Sequence, residues 1–347
     1  MKKTVRNRIK KVLVNLVVSL IWSKPKRHAV RNVLLGPPMA WESYALSRDI
    51  PAAMSAMRRG LDDKSLALFD LTCARKMLFS ENDPWSVDCQ IRLAYLNSLD
   101  VAESLEYLKI YEAELSQYRA DFWLYEGAYY APETFTYHSG LRNKATRLKK
   151  YISGKDFIDG GAYIGDSVLV YLRYYNPHKV WSFEISEKNR AAYKTTMQMN
   201  SIMPDKYELC PHGLSDRRHE IFIDDSGHLA TSVLVTGSSK ALLVDLDSFA
   251  LENNLNIGFI KTDVEGHGLE CLFGMTETIR RDRPVLSLSI YHTPQEFFEV
   301  KPALDEITVG LDYKITLAKH NPFSANPCNE IFETTVFAYP RELDDEG

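Results

Sequence analysis

The sequence lacks the paired cysteines that a disulfide-rich or zinc-binding protein needs. Its 347 residues include five cysteines, an odd number, and no two of them have the spacing of a zinc or redox motif. Scattered free thiols are typical of a reducing compartment, so a cytoplasmic location is expected. Glycine and proline occur at ordinary levels and no internal repeat is present, which excludes collagen-like and low-complexity classes.

Long apolar runs are also missing. The run at residues 12–22 is short of the roughly 20 residues that span a bilayer. Basic residues follow it at 24–27, where a signal peptide would have a small-residue cleavage site. Neither a spanning helix nor a cleaved leader is therefore expected from this run.

Residues 1–27 instead form a basic amphipathic arm. The first 40 residues contain ten basic and no acidic residues, and Val5, Ile9, Val12, Leu16 and Leu20 have helical spacing. This pattern predicts a helix on an anionic surface, peripheral to the inner face of the cell membrane. A helix packed on this protein or a partner, and an uncleaved signal anchor, are the alternatives.

The rest of the chain is net acidic, because the whole carries a charge of −4 in spite of the basic arm. A net-acidic body argues against nucleic acid as a partner. Nothing in the sequence indicates the oligomeric state.

Three further segments differ in pattern. Residues 28–120 have apolar residues three and four apart, which predicts a small helical domain of about four helices. Residues 121–150 are an aromatic-rich connector, in which 121–140 predict short strands or an ordered loop and the rest leads into a basic helix. Residues 151–347 alternate strand and helix patterns.

This alternation predicts an α/β fold with a mostly parallel sheet and helices on both faces. Helical patterns lie at 166–174, 187–200, 268–280 and 295–309. The last two strand patterns, 313–318 and 334–339, are joined by a loop without a helix. They are expected to pair as an antiparallel hairpin at one edge of the sheet.

The glycine-rich turn "DFIDGGAYIGDS", residues 156–167, would follow the first strand of that sheet. A dinucleotide fingerprint needs G-x-G-x-x-G, but Ala162 stands where the middle glycine belongs. Asp159 precedes the glycines, and a carboxylate there would oppose a pyrophosphate. The turn therefore favours S-adenosylmethionine, whose methionine end carries an ammonium group and a cationic sulfur.

Acidic residues follow two other strand patterns. Glu184 near the end of "KVWSFEIS" is placed to accept the hydroxyls of a ribose. Asp263 and Glu265 end "GFIKTDVE", so Asp159 and Asp263 are expected to flank one crevice. Asp263 and Glu265 would orient a substrate hydroxyl, ligate Mg²⁺, or cap the next helix; no other metal cluster is evident, and no metal is predicted.

Six segments in order resemble the FkbM-type S-adenosylmethionine-dependent methyltransferases: "FIDGGAYIGDS", "FEISEKN", "GLSD", "LVDLDSF", "IKTDVEG" and "LSLSIYHTPQEFFEV". The resemblance covers about residues 130–340 and implies a class I Rossmann-like methyltransferase fold. One departure is that His267 and Gly268 follow "DVEG", where many members have a small residue and an acid. The role of that acid is therefore in question here.

The cofactor-binding residues predicted from the turn, the strand ends and the resemblance are Asp159, Gly160, Gly161, Gly165, Asp166, Ser167, Glu184, Leu214, Ser215 and Asp263. Leu214 and Ser215 are expected to border the adenine. The catalytic residues predicted are His292, Asp263 and Glu265, with His292 as the base because histidine titrates near neutral pH. His267 is a weaker candidate.

The predicted function is O-methylation of a sugar hydroxyl in a surface glycan or glycolipid precursor. Two alternatives stay open. One is an NAD-dependent nucleotide-sugar oxidoreductase. The other is a non-catalytic, membrane-tethered assembly protein with a vestigial cofactor fold.

Overall fold

A computed structural model describes residues 44, 47–81, 92, 94–96, 98–99, 101–223, 233–234, 239–319 and 334–344. The chain divides into two compact units, Met1–Ile50 and Pro51–Gly347. The predicted arm, residues 1–27, lies outside the described residues. This division does not test the boundaries predicted at residues 27, 120 and 150, which stay predictions.

The described part of residues 50–121 includes the helices α1 (Ile50–Arg58), α2 (Asp63–Glu81) and α3 (Val101–Asp121). The ring of Phe69 on α2 stacks on Phe297, with centroids 5.6 Å apart. The Ser65 hydroxyl accepts a hydrogen bond of 2.9 Å from the backbone N–H of Leu317. Among the described residues, no helix is long and apolar enough to cross a membrane.

The aromatic-rich connector contains one short helix, α4 (Pro132–Phe135), and a 3₁₀ turn at His138–Gly140. No strand forms at residues 121–140, all of which are described, so the ordered loop is the alternative that holds. Phe135 is buried against Tyr118 and Phe122, with ring centroids 5.6 and 5.5 Å apart. The aromatic residues thus give the loop a core of its own. The basic helix follows as α5 (Thr146–Ile152).

A seven-stranded sheet forms the centre of the second unit, in the order β10-β11-β9-β8-β1-β2-β3. Its strands are β1 (Asp156–Gly160), β2 (Val180–Phe183), β3 (Tyr207–Cys210), β8 (Ile257–Thr262), β9 (Val285–Ser289), β10 (Tyr313–Lys319) and β11 (Thr334–Pro340). β1, β2, β3, β8 and β9 run parallel, whereas β11 is antiparallel to both β9 and β10. The predicted parallel sheet with an antiparallel edge hairpin is confirmed.

A second sheet, which the sequence analysis did not anticipate, has the order β4-β7-β5-β6. Its strands are β4 (His212–Leu214), β5 (His219–Ile223), β6 (Val233–Leu234) and β7 (Ser239–Val244). The β-rich pattern of residues 207–214 predicts a single strand, and this prediction is wrong, because the segment forms both β3 and β4. Pro211 separates β3 from β4, and proline lacks the N–H that would continue the pairing.

Helices flank the large sheet: α6 (Asp166–Tyr174), α7 (Glu187–Met199), α8 (Leu246–Glu252), α9 (Gly268–Phe273), α10 (Thr276–Asp282) and α11 (Pro294–Ile307). The helix expected at 268–280 is two helices that meet near Gly274. A Cβ on Gly274 would lie 1.8 Å from the Ser215 carbonyl oxygen, so the chain bends where the backbones touch. Thr293 and Glu296 form a capping box that begins α11.

Candidate active site

A cleft of about 280 Å³ opens at the carboxyl ends of β1, β2 and β8. Parallel α/β sheets bind their ligands at this edge, where the connections leave to opposite sides. Six of the residues predicted from the sequence line the cleft: Gly161, Asp166, Ser167, Glu184, Asp263 and Glu265. These six residues, predicted from separate parts of the sequence, therefore lie together at one edge of the sheet.

The glycines of the turn allow close packing between elements of the protein. Gly161 has φ +76°, and a Cβ there would lie 1.9 Å from the Asp263 carbonyl oxygen. Gly165 has φ +80°, and its Cβ would meet the Tyr193 ring at 2.8 Å. A side chain at Gly161 would force apart the β1 and β8 ends that form the floor of the cleft.

Glu184 follows β2 and is held rigidly. Its carboxylate accepts hydrogen bonds from the backbone N–H groups of Tyr163 (2.9 Å) and Ser186 (2.8 Å). Burial raises the pKa of Glu184, and these two bonds oppose that effect. Its remaining lone pairs are available to hydroxyl donors in the cleft.

Asp159 lies beneath the cleft rather than in its wall. Its side chain is fully buried; one carboxylate oxygen is 3.2 Å from Lys261 Nζ and the other accepts a 2.5 Å hydrogen bond from Ser167. Lys261 also donates to the Gly161 carbonyl oxygen at 3.0 Å. The predicted direct contact between Asp159 and a ligand does not fit this burial, because Lys261 lines the cleft in its place.

Asp166 begins α6 and faces the cleft. Burial raises the pKa of its carboxyl to about 6, while Lys261 acts in the opposite direction. A cation placed beside Asp166 would be drawn to it and would lower that pKa. The inner end of the cleft therefore offers a carboxyl group and an ammonium group side by side.

Asp263 lies at the opposite wall. The hydroxyl of Tyr291 donates to both of its carboxylate oxygens, at 3.1 and 3.3 Å. Tyr291 is itself in the cleft wall and follows β9. The ends of β8 and β9 thus supply a carboxylate already oriented by a phenol.

His292 is surrounded by carboxylates. Its Nε2 is 3.2 Å from Asp263 and 3.6 Å from Glu265, and its Nδ1 is 3.4 Å from Glu296. Burial disfavours the charged ring, but Glu296, Asp263 and Glu265 outweigh that effect and raise the pKa to about 9. Since the imidazole holds its proton at neutral pH, the role of neutral base predicted for His292 does not fit this geometry.

Glu265 is the better-placed proton acceptor. Its backbone has φ +52°, a conformation unusual for a residue with a side chain, and Gly266 follows with φ +99°. Burial raises the pKa of Glu265, although His292 lowers it. The turn therefore presents a carboxyl group of raised basicity to the cleft.

Glu296 occupies the space left by Gly268. Its Oε1 accepts a 2.8 Å hydrogen bond from the Gly268 N–H, and a Cβ on Gly268 would lie 2.8 Å from the same atom. The departure noted in the sequence at His267 and Gly268 is thus accompanied by a carboxylate from α11. His267 is turned away to Ser215, whose Oγ lies 2.9 Å from its Nε2.

Several predicted site residues do not line the cleft in the described part of the chain: Asp159, Gly160, Gly165, Leu214, Ser215 and His292. Leu214 is buried, and one of its methyl carbons lies 3.1 Å from the Cβ position of Gly160. The expectation that Leu214 and Ser215 border an adenine is not met, because both are covered by neighbouring backbone and side chains.

The sequence analysis missed Lys261 and Tyr291. A lysine within a strand pattern predicts an amine that reaches the surface, yet Lys261 shares a strand face with Asp263 two residues later. Tyr291 directly precedes His292, but the sequence pattern indicated only His292 as a candidate site residue. Among the described residues, no group of three or more His, Cys, Asp or Glu could hold a metal ion.

A family model for the methyltransferase FkbM domain matches residues 159–315. This part of the chain is thus similar to the FkbM methyltransferase family. The matched residues include β8, β9 and the carboxyl end of β1, and hence the strand ends beneath the cleft. No curated protein matches the chain.

The FkbM domain is also found in a solved structure of similar fold. The methyltransferase FkbM from Methylobacillus flagellatus KT is 17% identical, and the match covers 92% of this chain and 72% of that one, with a TM-score of 0.50. An O-methyltransferase from Bacillus cereus in complex with SAH is 13% identical over 69% of this chain and 91% of that one, with a TM-score of 0.37. The first likeness confirms the class I methyltransferase fold.

Proposed function

We propose that this protein is an S-adenosylmethionine-dependent O-methyltransferase that acts on a sugar hydroxyl of a surface glycan or glycolipid precursor. One observation carries the proposal. Within an FkbM domain, a single cleft has the rigidly held Glu184 on one side and Asp263 and Glu265 on the other. One wall suits a nucleoside and the other suits a hydroxyl acceptor.

The residues at the inner end of the cleft fit the cofactor. Glu184 would accept the ribose hydroxyls, Lys261 would attract the carboxylate of the methionine end, and Asp166 would attract its ammonium. When bound, S-adenosylmethionine supplies a methyl group already activated on a sulfonium. The protein's task is then alignment and removal of the acceptor's proton.

Asp263 and Glu265 would bind the acceptor. In this proposal Asp263, fixed by Tyr291, orients the attacking hydroxyl, and Glu265 takes its proton. His292 keeps its own proton and holds both carboxylates in place through its Nε2. It is a positioning residue rather than the base.

The aromatic-rich connector would hold the sugar. Tyr129, which is 60% exposed, lines the cleft together with Tyr163. Tyrosine rings offer an apolar face to a sugar ring and a hydroxyl to its substituents. We therefore place the acceptor between Tyr129 and Glu265.

Residues 1–27 would keep the enzyme near a membrane-bound acceptor, through the basic amphipathic pattern of the arm. Flotation with anionic liposomes tests this part separately. The full chain should float and a chain without residues 1–27 should not; equal behaviour of the two would refute a lipid-binding role.

The methyl transfer itself is tested with methyl-labelled S-adenosylmethionine and a glycan and glycolipid extract. Label should enter a carbohydrate product, and the Glu265→Gln protein should transfer far less. Label that enters protein or nucleic acid instead would overturn the acceptor class. Retention of NAD with no binding of S-adenosylmethionine would overturn the reaction.

A further inference from the structure

A second cleft, of about 780 Å³, lies between α2 and the β10–β11 edge of the sheet. Its volume is in the usual range for ligand sites. One part of its wall is apolar and includes Leu68, Leu71, Leu99, Leu317 and Ala318. Another part is basic and includes Lys64, Arg142, Lys144, Lys314 and Lys319. Asp62 and Glu103 also line this cleft, so its wall is amphipathic and carries more basic than acidic side chains.

Three of the basic residues are paired with acids. Lys64 Nζ lies 2.9 Å from Glu103 and Lys314 Nζ lies 2.5 Å from Asp344. Arg142 pairs with Glu114. These charges are largely compensated by the protein itself.

Lys144 is different. Among the described residues no carboxylate lies within ion-pair distance of its Nζ, which instead stands 4.2 Å from the centre of the Phe337 ring and 5.4 Å from that of Tyr339. Burial lowers the pKa of Lys144 and the nearby Lys314 lowers it further, while Asp344 and Asp62 act in the opposite direction. A partly buried ammonium with no carboxylate within ion-pair distance is a place where an anion would be stabilised.

We propose that this cleft binds a phosphate monoester with an apolar chain, its phosphate at Lys144 and its chain along Leu68, Leu71 and Leu317. Lysine binds phosphate as a point charge, without the planar geometry that carboxylates share with arginine. The apolar wall selects against inorganic phosphate and free sugar phosphates.

The site does not depend on the proposed methyl transfer. It does lie close to the active site along the chain, because Thr134 and Ser139 line the first cleft while Tyr137, Gly140 and Arg142 line the second. The same short segment therefore forms a wall of each cleft. Occupancy of the second cleft is testable without any acceptor or cofactor.

The test is calorimetric titration of the full chain with dodecyl phosphate, kept below its critical micelle concentration. One equivalent should bind, and Lys144→Met should weaken binding by about tenfold or more, the loss expected for one charge-assisted contact. Lys150→Met is the matched control, since Lys150 is an exposed lysine of α5 outside the cleft, and it should change the affinity less than about twofold. Leu68→Ser, which keeps the charges, should also weaken binding.

Absence of saturable binding would overturn the proposal, as would equal losses in the Lys144→Met and Lys150→Met proteins. Equal binding of uncharged dodecanol would show a merely apolar groove, and equal binding of inorganic phosphate would show a merely ionic one; either result contradicts the site proposed. The far-ultraviolet circular dichroism spectrum of the Lys144→Met protein should match that of the wild type and thereby shows that the variant is folded.

Discussion

Lys261 Nζ lies 3.2 Å from Asp159 Oδ1, and the two residues face each other across the pairing of β8 with β1. The Asp159 side chain is completely buried and that of Lys261 is 16% exposed. Burial of an isolated charge at this depth would cost free energy. The opposite charges of the two residues offset this cost. The pair joins the two central strands below the cleft.

Replacement of one partner should therefore be strongly destabilising. Lys261→Met leaves the Asp159 carboxylate buried without its cation, and we expect the free energy of unfolding to fall by about 3 kcal/mol or more. Urea denaturation measures this. The exposed pair Lys240–Glu220, 2.9 Å apart, is the control, and Lys240→Met should cost less than about 1 kcal/mol. Similar losses in the two variants would show that the buried pair has no special role.

The second prediction concerns the close packing of Gly161 against the Asp263 carbonyl oxygen. Because a Cβ there would overlap the Asp263 carbonyl oxygen, Gly161→Ala should destabilise the fold by more than about 2 kcal/mol. Gly127 also has positive φ, at +87°, but nothing lies within 4 Å of its Cβ position. Gly127→Ala should cost only about 1 kcal/mol, from backbone strain alone. Thermal unfolding of both variants separates packing from strain, and equal shifts would contradict the packing role.

His292 predicts a pH dependence of stability. Its pKa in the folded protein is about 9, above the ordinary value of 6.5, because of Glu296, Asp263 and Glu265. The stabilisation is complete below pH 6.5 and is lost as the pH rises through 9, by up to about 3 kcal/mol. Urea midpoints between pH 6 and 10 should show this loss in the wild type and not in His292→Gln. An imidazole that titrates below pH 7 by NMR would refute the assignment.

If Glu265 is the base, its replacement should reduce methyl transfer without weakening cofactor binding. Since Glu265→Gln keeps the shape of the side chain but cannot accept a proton, transfer of label from S-adenosylmethionine should fall by about 10² to 10⁴-fold. The affinity for S-adenosylhomocysteine should be unchanged. Glu277→Gln, at an exposed position on α10, serves as the control. Full activity of the Glu265→Gln protein would show that Glu265 is not the base.

Local patterns were enough to predict much of the fold. The helix at 166–174 and the hairpin of β10 and β11 follow from periodicity and from the lack of a helix between two strand patterns. The second sheet was not predicted because β6 has only two residues and because β7 pairs with β4 and β5, which are distant in sequence. Register and partner choice of this kind depend on tertiary packing rather than on local pattern.

The positions of several site residues could be predicted from the sequence, but the protonation of His292 and the pairing of Asp159 could not. Glu184, Asp263 and Glu265 could be found because each follows a strand pattern of the parallel sheet. The protonation of His292 could not, because it depends on Glu296, a residue of the next helix whose carboxylate turns back to Nδ1. The burial of Asp159 by Lys261 likewise depends on the register of β1 with β8.

The measurement that tests the central claim most directly is calorimetric titration with S-adenosylhomocysteine, the product of the proposed transfer. The wild-type protein should bind one equivalent, and Glu184→Gln should bind about tenfold to a hundredfold more weakly, since a charged acceptor of the ribose hydroxyls is lost. Glu187→Gln, at an exposed acid of α7, should bind like the wild type. Binding that is absent in the wild type, or equal in the wild type and Glu184→Gln, would contradict the account.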